Sequence, residues 1–381
     1  MDMRSEIRKL ARIEEGPYPF LSIYLDTKWG DEQQRERIRL FTKNQLKKGY
    51  DQLKDREDWQ KTFIKDQKQT ERYVEGLVRR VYDEEVNGLA IFSCSGSGTF
   101  LTYPSIIPFE NECVISDLPI LRPLVRLSSQ YLNTLVVMVE TDSAKLFEVS
   151  MEGLLAEHFI ESYVPGRHDQ GGWAQMRYQR HIKDHMDKHH KEVAEQLTQL
   201  FDSGKWKRVL LIGQDRIVAN FKAFLPERIK LQIADSFSMD FSKDRSKMLR
   251  RLFERLLQKE REEVSHQIQE LKENPPQGGL ATFGLNRTLE ALNKGQVHTL
   301  FLLTSFSLMG GKCRRCGSLV LIHPPGDPST PCPICKGEMK IVHLEEEMVR
   351  SALRQDGEVK WVEEHDMLKE NDGAGASLRF R

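Results

Sequence analysis

Four cysteines set the firmest constraint on this chain. Cys313-Arg-Arg-Cys316 and Cys332-Pro-Ile-Cys335 are two C-x-x-C pairs separated by 15 residues, with Gly317 and Gly337 just past each pair. That spacing brings four soft thiolates around one tetrahedral ion, and four protein ligands leave no open position for water or substrate. The expected cofactor is therefore a structural Zn2+ held by Cys313, Cys316, Cys332 and Cys335. The intervening His323 to Pro331 stretch is a poor core-former, so a zinc ribbon over 311–339 should depend on its ion for order. Redox-active dithiols would call for a single C-x-x-C in a βα context, which is absent here. Six cysteines are too few for a disulfide scaffold in 381 residues, and Cys94 and Cys113 read as small buried apolar residues.

Around this insert the chain reads as α+β and α/β multidomain. Its length exceeds one ordinary core. Apolar residues make up 39% and charged residues 30%, enough to fold. Lys+Arg and Asp+Glu are both 57, so any grip on nucleic acid must come from a local patch and not from bulk charge. The longest apolar runs, such as Leu135 to Val139 and Val209 to Ile212, cannot span a bilayer, and no signal peptide opens the sequence. A cytoplasmic protein with no membrane contact is expected.

Hydrophobic periodicity divides the chain into three. Residues 1–123 form an N-terminal α+β domain, with strands at Phe20 to Asp26, Gly88 to Cys94 and Gly98 to Tyr103 and a charged helical segment at Asp31 to Asp58. Residues 124–255 open on a hairpin, Thr134 to Glu140 and Lys145 to Val149, followed by a long helix and the buried strand Arg208 to Gly213, an order that suggests parallel pairing. Residues 256–381 form an α/β domain after the Asn274 to Gly279 breaker. Its helix Arg287 to Lys294 is closed by Gly295, and a strand at His298 to Thr304 precedes the ribbon. A helix over Leu344 to Leu353 and a strand over Val359 to Val362 follow it.

The least ordinary segment runs from Val164 to His190. Gly171-Gly172 stands directly before Trp173 and a helix carrying Arg177, Arg180, Lys183, Lys188 and Lys191. Paired glycines allow close backbone approach to a partner, Trp173 offers a stacking surface, and Arg177, Arg180 and Lys183 are candidate RNA contacts. A simple turn before a solvated basic helix accounts for the same residues. His168, His181, His185, His189 and His190, five of the 11 histidines, also fall here and read as surface residues.

Read together, these features resemble the archaeo-eukaryotic class I release factor and Pelota superfamily. In that family a Gly-Gly-Gln loop precedes a helix of the form S-A-L-R-F-x-R, and Gly171-Gly172-Trp173-Ala174-Gln175-Met176-Arg177-Tyr178-Gln179-Arg180 keeps the frame. Glu192 to Leu197 resembles the end of that helix. Phe283-Gly284, Thr288-Leu289-Glu290-Ala291-Leu292 and Gly295 are similar to the family's third-domain motif, and Gly373 to Arg381 is similar to its C-terminus. The resemblance covers roughly Thr134 to Arg381 and is closest to bacterial archaeo-eukaryotic release factor family 10, whose loops read Gly-Gly-Trp.

The resemblance implies three domains in release-factor/Pelota order, the third like kink-turn RNA-binding ribosomal proteins with the zinc ribbon inserted. It implies the bacterial ribosome and ribosomal RNA as partners, the acceptor end of peptidyl-tRNA as target, and a translational GTPase as a further candidate partner. By position Gly171, Gly172 and Trp173 are the catalytic candidates for peptidyl-tRNA ester hydrolysis. Trp173 replaces the family glutamine and has one donor and no acceptor, so only its backbone amide can take over that role. With no match to the family's N-I-K-S codon-reading loop, the expected function is codon-independent action at the A site, in termination or ribosome rescue. A non-enzymatic hibernation or rescue factor is one alternative, and a transfer-RNA nuclease using His181 and His185 is another.

Overall fold

The computed structural model describes residues 3–28, 32–79, 86–130, 133–151, 153–161, 173–238, 245–273, 280–322 and 330–380. The N-terminal part begins with α1 (Met3–Ala11), whose Met3, Ile7, Leu10 and Ala11 recur at three- and four-residue spacing and are all buried. β1 (Phe20–Asp26) then enters the middle of a sheet. α2 (Glu32–Gln52) and α3 (Glu57–Arg79) follow, then β2 (Gly88–Cys94), β3 (Thr99–Ser105) and β4 (Glu112–Ser116) in the order β3-β2-β1-β4, antiparallel throughout. Both faces of β1 are buried. Leu21, Ile23 and Leu25 meet Leu46 and Phe63 of the two helices, while Tyr24 on the other face packs edge-on against Phe92 and donates to the Ile120 carbonyl at 2.6 Å.

The charged stretch Lys43 to Lys68 lies on α2 and α3, and one of its charges points inward. Asp66 is buried and accepts from the Ser93 hydroxyl at 2.5 Å, the Ser95 amide at 2.7 Å and the Ser95 hydroxyl at 3.0 Å, which ties α3 to the β2–β3 turn. Burial raises its pKa, although those three donors oppose the shift. α4 (Arg122–Gln130) follows, with Pro123 in its first turn, where the missing N–H has no intrahelical partner to lose.

The middle part carries β5 (Thr134–Val139), β6 (Ser143–Ser150) and β7 (Gly153–Glu161) as an antiparallel meander. α5 (Trp173–Asp202), β8 (Arg208–Ile212), α6 (Asp215–Lys222), α7 (Glu227–Lys230) and β9 (Ile233–Phe237) complete it. The sheet order is β7-β6-β5-β8-β9, with β8 parallel to both β5 and β9. The unbroken apolar runs of β5 and β8 are those of central strands covered on both faces. One of those faces meets Val193, Ala194 and Leu197 of α5 and Phe221 of α6. α8 (Arg245–Glu273) buries Leu252, Phe253 and Leu256 in its first half and Val264 and Ile268 in its second.

The C-terminal part contains β10 (Ala281–Phe283), α9 (Leu285–Asn293), β11 (Val297–Leu303), β12 (Met309–Cys313), β13 (Leu319–Val320), β14 (Met339–His343), α10 (Leu344–Arg354), β15 (Glu358–Val362), α11 (Asp366–Lys369) and β16 (Ala374–Leu378). Its main sheet runs β10-β16-β11-β15, with β11 and β15 parallel and β16 antiparallel to both its neighbours. A separate sheet, β13-β12-β14, carries the cysteines. Gly295, at φ +71°, closes α9: its amide reaches the Leu292 carbonyl and the Gln296 amide reaches Ala291, each within 3.1 Å, the paired bonds of a Schellman cap.

Two compact units result. One is Met1–Gln130 together with Glu260–Arg381, and the other is Tyr131–Lys259. Within the first, polar contacts join the N-terminal and C-terminal parts. Glu346 of α10 accepts from the Leu121 and Arg122 amides at 2.7 and 3.0 Å, satisfying the open start of α4. Arg350, one turn on, donates to the Pro119 carbonyl at 2.5 Å, and Arg354 donates to the Ala11 and Ile13 carbonyls. Burial raises the Glu346 pKa even against Arg350 and the two amides. No described helix is long and apolar enough to cross a membrane.

Candidate functional site

The cysteine cluster is assembled by two turns of the same design. In each, the residue after the second cysteine turns left-handed and gives its amide to the carbonyl of the first: Gly317 (φ +74°) to Cys313 and Lys336 (φ +60°) to Cys332, both at 2.9 Å. The strand pairing Cys313↔Met339 places one turn beside the other. All four Sγ atoms lie within 4.8 Å of one another, with Cys313 to Cys335 at 3.4 Å and Cys316 to Cys332 at 3.7 Å.

Metal–sulfur bonds of about 2.3 Å in a tetrahedron place sulfurs about 3.8 Å apart, so this donor set fits a tetrahedral ion. The Arg315 and Cys316 amides point at the Cys313 sulfur at 3.4 and 3.5 Å, and the Cys316 amide holds that thiol below its usual pKa. Hydrogen bonding with Ser318 brings the Cys316 thiol down to about 6, toward the thiolate that binds metal. Gly337 explains the small residue in the second turn: a Cβ there would lie 3.2 Å from the sulfurs of both Cys313 and Cys335. The cluster can hold a metal ion through Cys313, Cys316, Cys332 and Cys335.

Charged residues that sequence reasoning passed over hold the ribbon in place. Lys312 and Lys340 face each other across β12 and β14, an unfavourable pairing unless anions intervene. Glu15, after α1, lies 3.7 Å from Lys312 and 3.1 Å from Lys340, while Glu347 pairs with Lys312 at 2.9 Å and Asp117 with Lys340. Glu15 lies more than 290 residues before either lysine, so no local pattern could reveal the contact.

The second candidate site begins at α5. The helix starts at Trp173, so Gly171 and Gly172 immediately precede it and lie outside the described residues, as does His168. Trp173 and Arg177 belong to its first turns, although their side chains, like that of His181, are not among those described. Arg180 and Lys183 are both exposed to solvent.

Two of the histidines depart from the surface reading, because His189 and His190 are fully buried. They stand four residues before Val193 and Ala194, on the face that meets the sheet. His190 packs edge-on against Phe221 and Phe224, and its Nε2 lies 3.4 Å from the Glu140 carbonyl. Burial lowers its pKa, keeping the ring neutral.

Comparison with known proteins finds similarity in the middle of the chain. Residues 119–257 match the model of bacterial archaeo-eukaryotic release factor family 10, a span that contains the Gly171-Gly172-Trp173 segment, all of β5 to β9 and the first half of α8. A peptide chain release factor subunit 1 from Methanocaldococcus jannaschii is 27% identical over 233 residues, covering 54% of each protein. The middle of the chain is thus similar to the archaeo-eukaryotic release factors of bacteria.

The chain spans about half the length of the curated relative it matches. Similar solved structures include an archaeal translation termination factor, aRF1, at 18% identity and TM-score 0.25, covering 99% of this chain and 96% of that one. S. cerevisiae Dom34, a translation termination-like factor interacting with Hbs1, is 12% identical at TM-score 0.39, covering 77% and 79%. A ribosome-bound archaeal Pelota is 20% identical at TM-score 0.35, covering 74% and 73%.

Proposed function

We propose that this protein is a ribosome-associated, release-factor-like protein that acts codon-independently at the A site, in termination or rescue, and presents Gly171-Gly172-Trp173 to the acceptor end of peptidyl-tRNA. The observation that supports this reading is the family-model match over 119–257, which takes in that segment and the helix it opens. Arg180 and Lys183, exposed on α5, suit contact with RNA phosphates. The C-terminal α/β part is read as a kink-turn RNA-binding-like domain, and the four cysteines as a structural Zn2+ site that orders the inserted ribbon. A translational GTPase is the further partner proposed.

Ester hydrolysis at this loop needs a positioned water and a donor toward the oxygen that gains charge. Gly171 and Gly172 permit close approach of the backbone, and the Trp173 amide can serve as that donor. The indole carries no acceptor to orient water. Trp173 therefore favours a second, non-hydrolytic reading, in which the protein occupies the A site of stalled or idle ribosomes without releasing peptide.

Sedimentation of the purified protein with empty, idle and peptidyl-tRNA-loaded bacterial ribosomes, followed by a labelled-peptide release assay, tests both readings. The expected result is stoichiometric co-sedimentation. Release that Gly172→Val abolishes identifies the hydrolytic form; binding without release, with release gained in Trp173→Gln, identifies the other. No binding to any particle defeats the proposal.

A further inference from the structure

β7 is the terminal strand of the middle sheet, and no strand among the described residues pairs with its outer edge. Such an edge offers a row of open N–H and C=O groups, and proteins normally guard it with proline, short length, bulges or charge. β7 runs nine residues without proline, and the one irregularity in its pairing falls at Glu148 and Val149 of β6.

Its side chains alternate sharply. Leu154, Ala156 and His158 are half-buried and Ile160 fully so, whereas Leu155, Glu157, Phe159 and Glu161 are exposed. Leu155 is 48% and Phe159 58% accessible, two large apolar side chains on one strand face with a carboxylate between them and another after. Lys145 stands at the Phe159 register position on β6, its Nζ 5.7 Å from the ring centroid and 3.7 Å from Glu157.

The charge pattern selects among occupants. A second copy of β7 pairing antiparallel about Glu157 would set that carboxylate against its own copy, and like charges directly opposite destabilise a strand pair. Nucleic acid is disfavoured by the two carboxylates on the same face. A strand carrying lysine or arginine opposite Glu157 and Glu161, and apolar residues beside Leu155 and Phe159, satisfies charge, side chains and backbone together. We propose that the outer edge of β7 is a strand-addition site for an extended segment of a partner protein in which apolar and basic residues take turns at every second position, and so share one face.

The test uses the full chain and a short labelled peptide with valine and lysine taking turns at every second position and threonine between them, with glutamate in place of lysine in its counterpart. Binding is followed by fluorescence anisotropy and by amide hydrogen exchange over 153–161. The lysine peptide should bind and slow exchange within β7, and the glutamate peptide should do neither. The double variant Leu155→Ser and Phe159→Ser should weaken binding about tenfold or more, since each lost contact removes apolar burial at the centre of the interface.

Glu157→Lys with Glu161→Lys should reverse the preference between the peptides. Both double variants alter exposed positions, and thermal melting checks that each still folds. Absence of binding, binding with no slowed exchange in β7, or equal affinity in the serine variant overturns the proposal. So does capture of a uridine oligonucleotide that is lost in the serine variant, which would assign the face to RNA.

Discussion

Gly337→Ala should weaken metal binding through steric pressure on the ligands alone. The added Cβ would meet the Cys313 and Cys335 sulfurs at 3.2 Å and the Arg315 Cβ at 3.0 Å, about half an ångström inside ordinary contact. Once the sulfurs hold an ion, bond lengths near 2.3 Å leave them little room to retreat, so the turn must deform. Overpacking of this kind costs about 1–3 kcal/mol, and about 2 kcal/mol corresponds to roughly 30-fold weaker zinc.

Gly317→Ala is the internal control. Gly317 is left-handed, unlike Gly337, yet nothing lies within 4 Å of its Cβ position, so its cost is the conformational one of about 1 kcal/mol, or roughly fivefold. Lys336 already carries that conformational strain at φ +60°, and Lys336→Gly should leave affinity within about fivefold of wild type. Competition of each variant against a chromogenic zinc chelator, with far-UV circular dichroism as a folding check, yields the three ratios. Equal losses in Gly337→Ala and Gly317→Ala, or none in Gly337→Ala, would refute the steric argument.

The other predictions concern buried charge. Arg350 is 1% exposed beside buried Glu346, so Arg350→Met removes the cation that counters Glu346's burial and should destabilise by about 3–5 kcal/mol at neutral pH in urea unfolding. Burial already raises the Glu346 pKa, and without Arg350 it rises further; the deficit should therefore be full above that raised value and shrink as pH falls toward the ordinary glutamate range near about 4.3. A loss independent of pH would refute the assignment. His190 shows the opposite dependence, because its folded pKa is lowered: the neutral ring's contribution is present above about 6.5 and lost as pH falls toward the folded value. Between about pH 7 and pH 5 the wild type should thus lose more melting temperature than His190→Leu, and parallel losses would show that this ring does not sense pH.

The central strands were legible because their environment is simple. Phe20 to Asp26 and Gly88 to Cys94 coincide with β1 and β2, and the apolar runs of β5 and β8 lie in a sheet covered on both faces, where solvent imposes no alternation. Gly295 was legible because a left-handed cap selects glycine for a local reason. β7 shows no clean strand pattern in the sequence because it lies at an edge, where exposed Leu155 and Phe159 blur its polar face. α4 was hidden by Pro123, which reads as a breaker but stands where a helix tolerates it.

The buried polar groups divide differently. His189 and His190 carried a usable signal, since they precede Val193 and Ala194 by one helical turn and Leu197 by two, and a face that stays apolar for two turns ordinarily extends to a third. Glu345, Glu346 and Glu347 carried none: three consecutive glutamates at the start of a helix read as solvated charges complementing its dipole. What buries Glu346 is the unpaired amides of Leu121 and Arg122, 225 and 224 residues away in the chain. An open helix start buried without a side-chain cap of its own must find an acceptor elsewhere, and that demand becomes visible only when α4 is seen to begin at Arg122. The same logic holds at the ribbon, whose cysteines announce themselves by spacing while Glu15, which offsets Lys312 and Lys340, does not. Ligand sets written into one short segment can be read from sequence; charge compensation between segments has to wait for the fold.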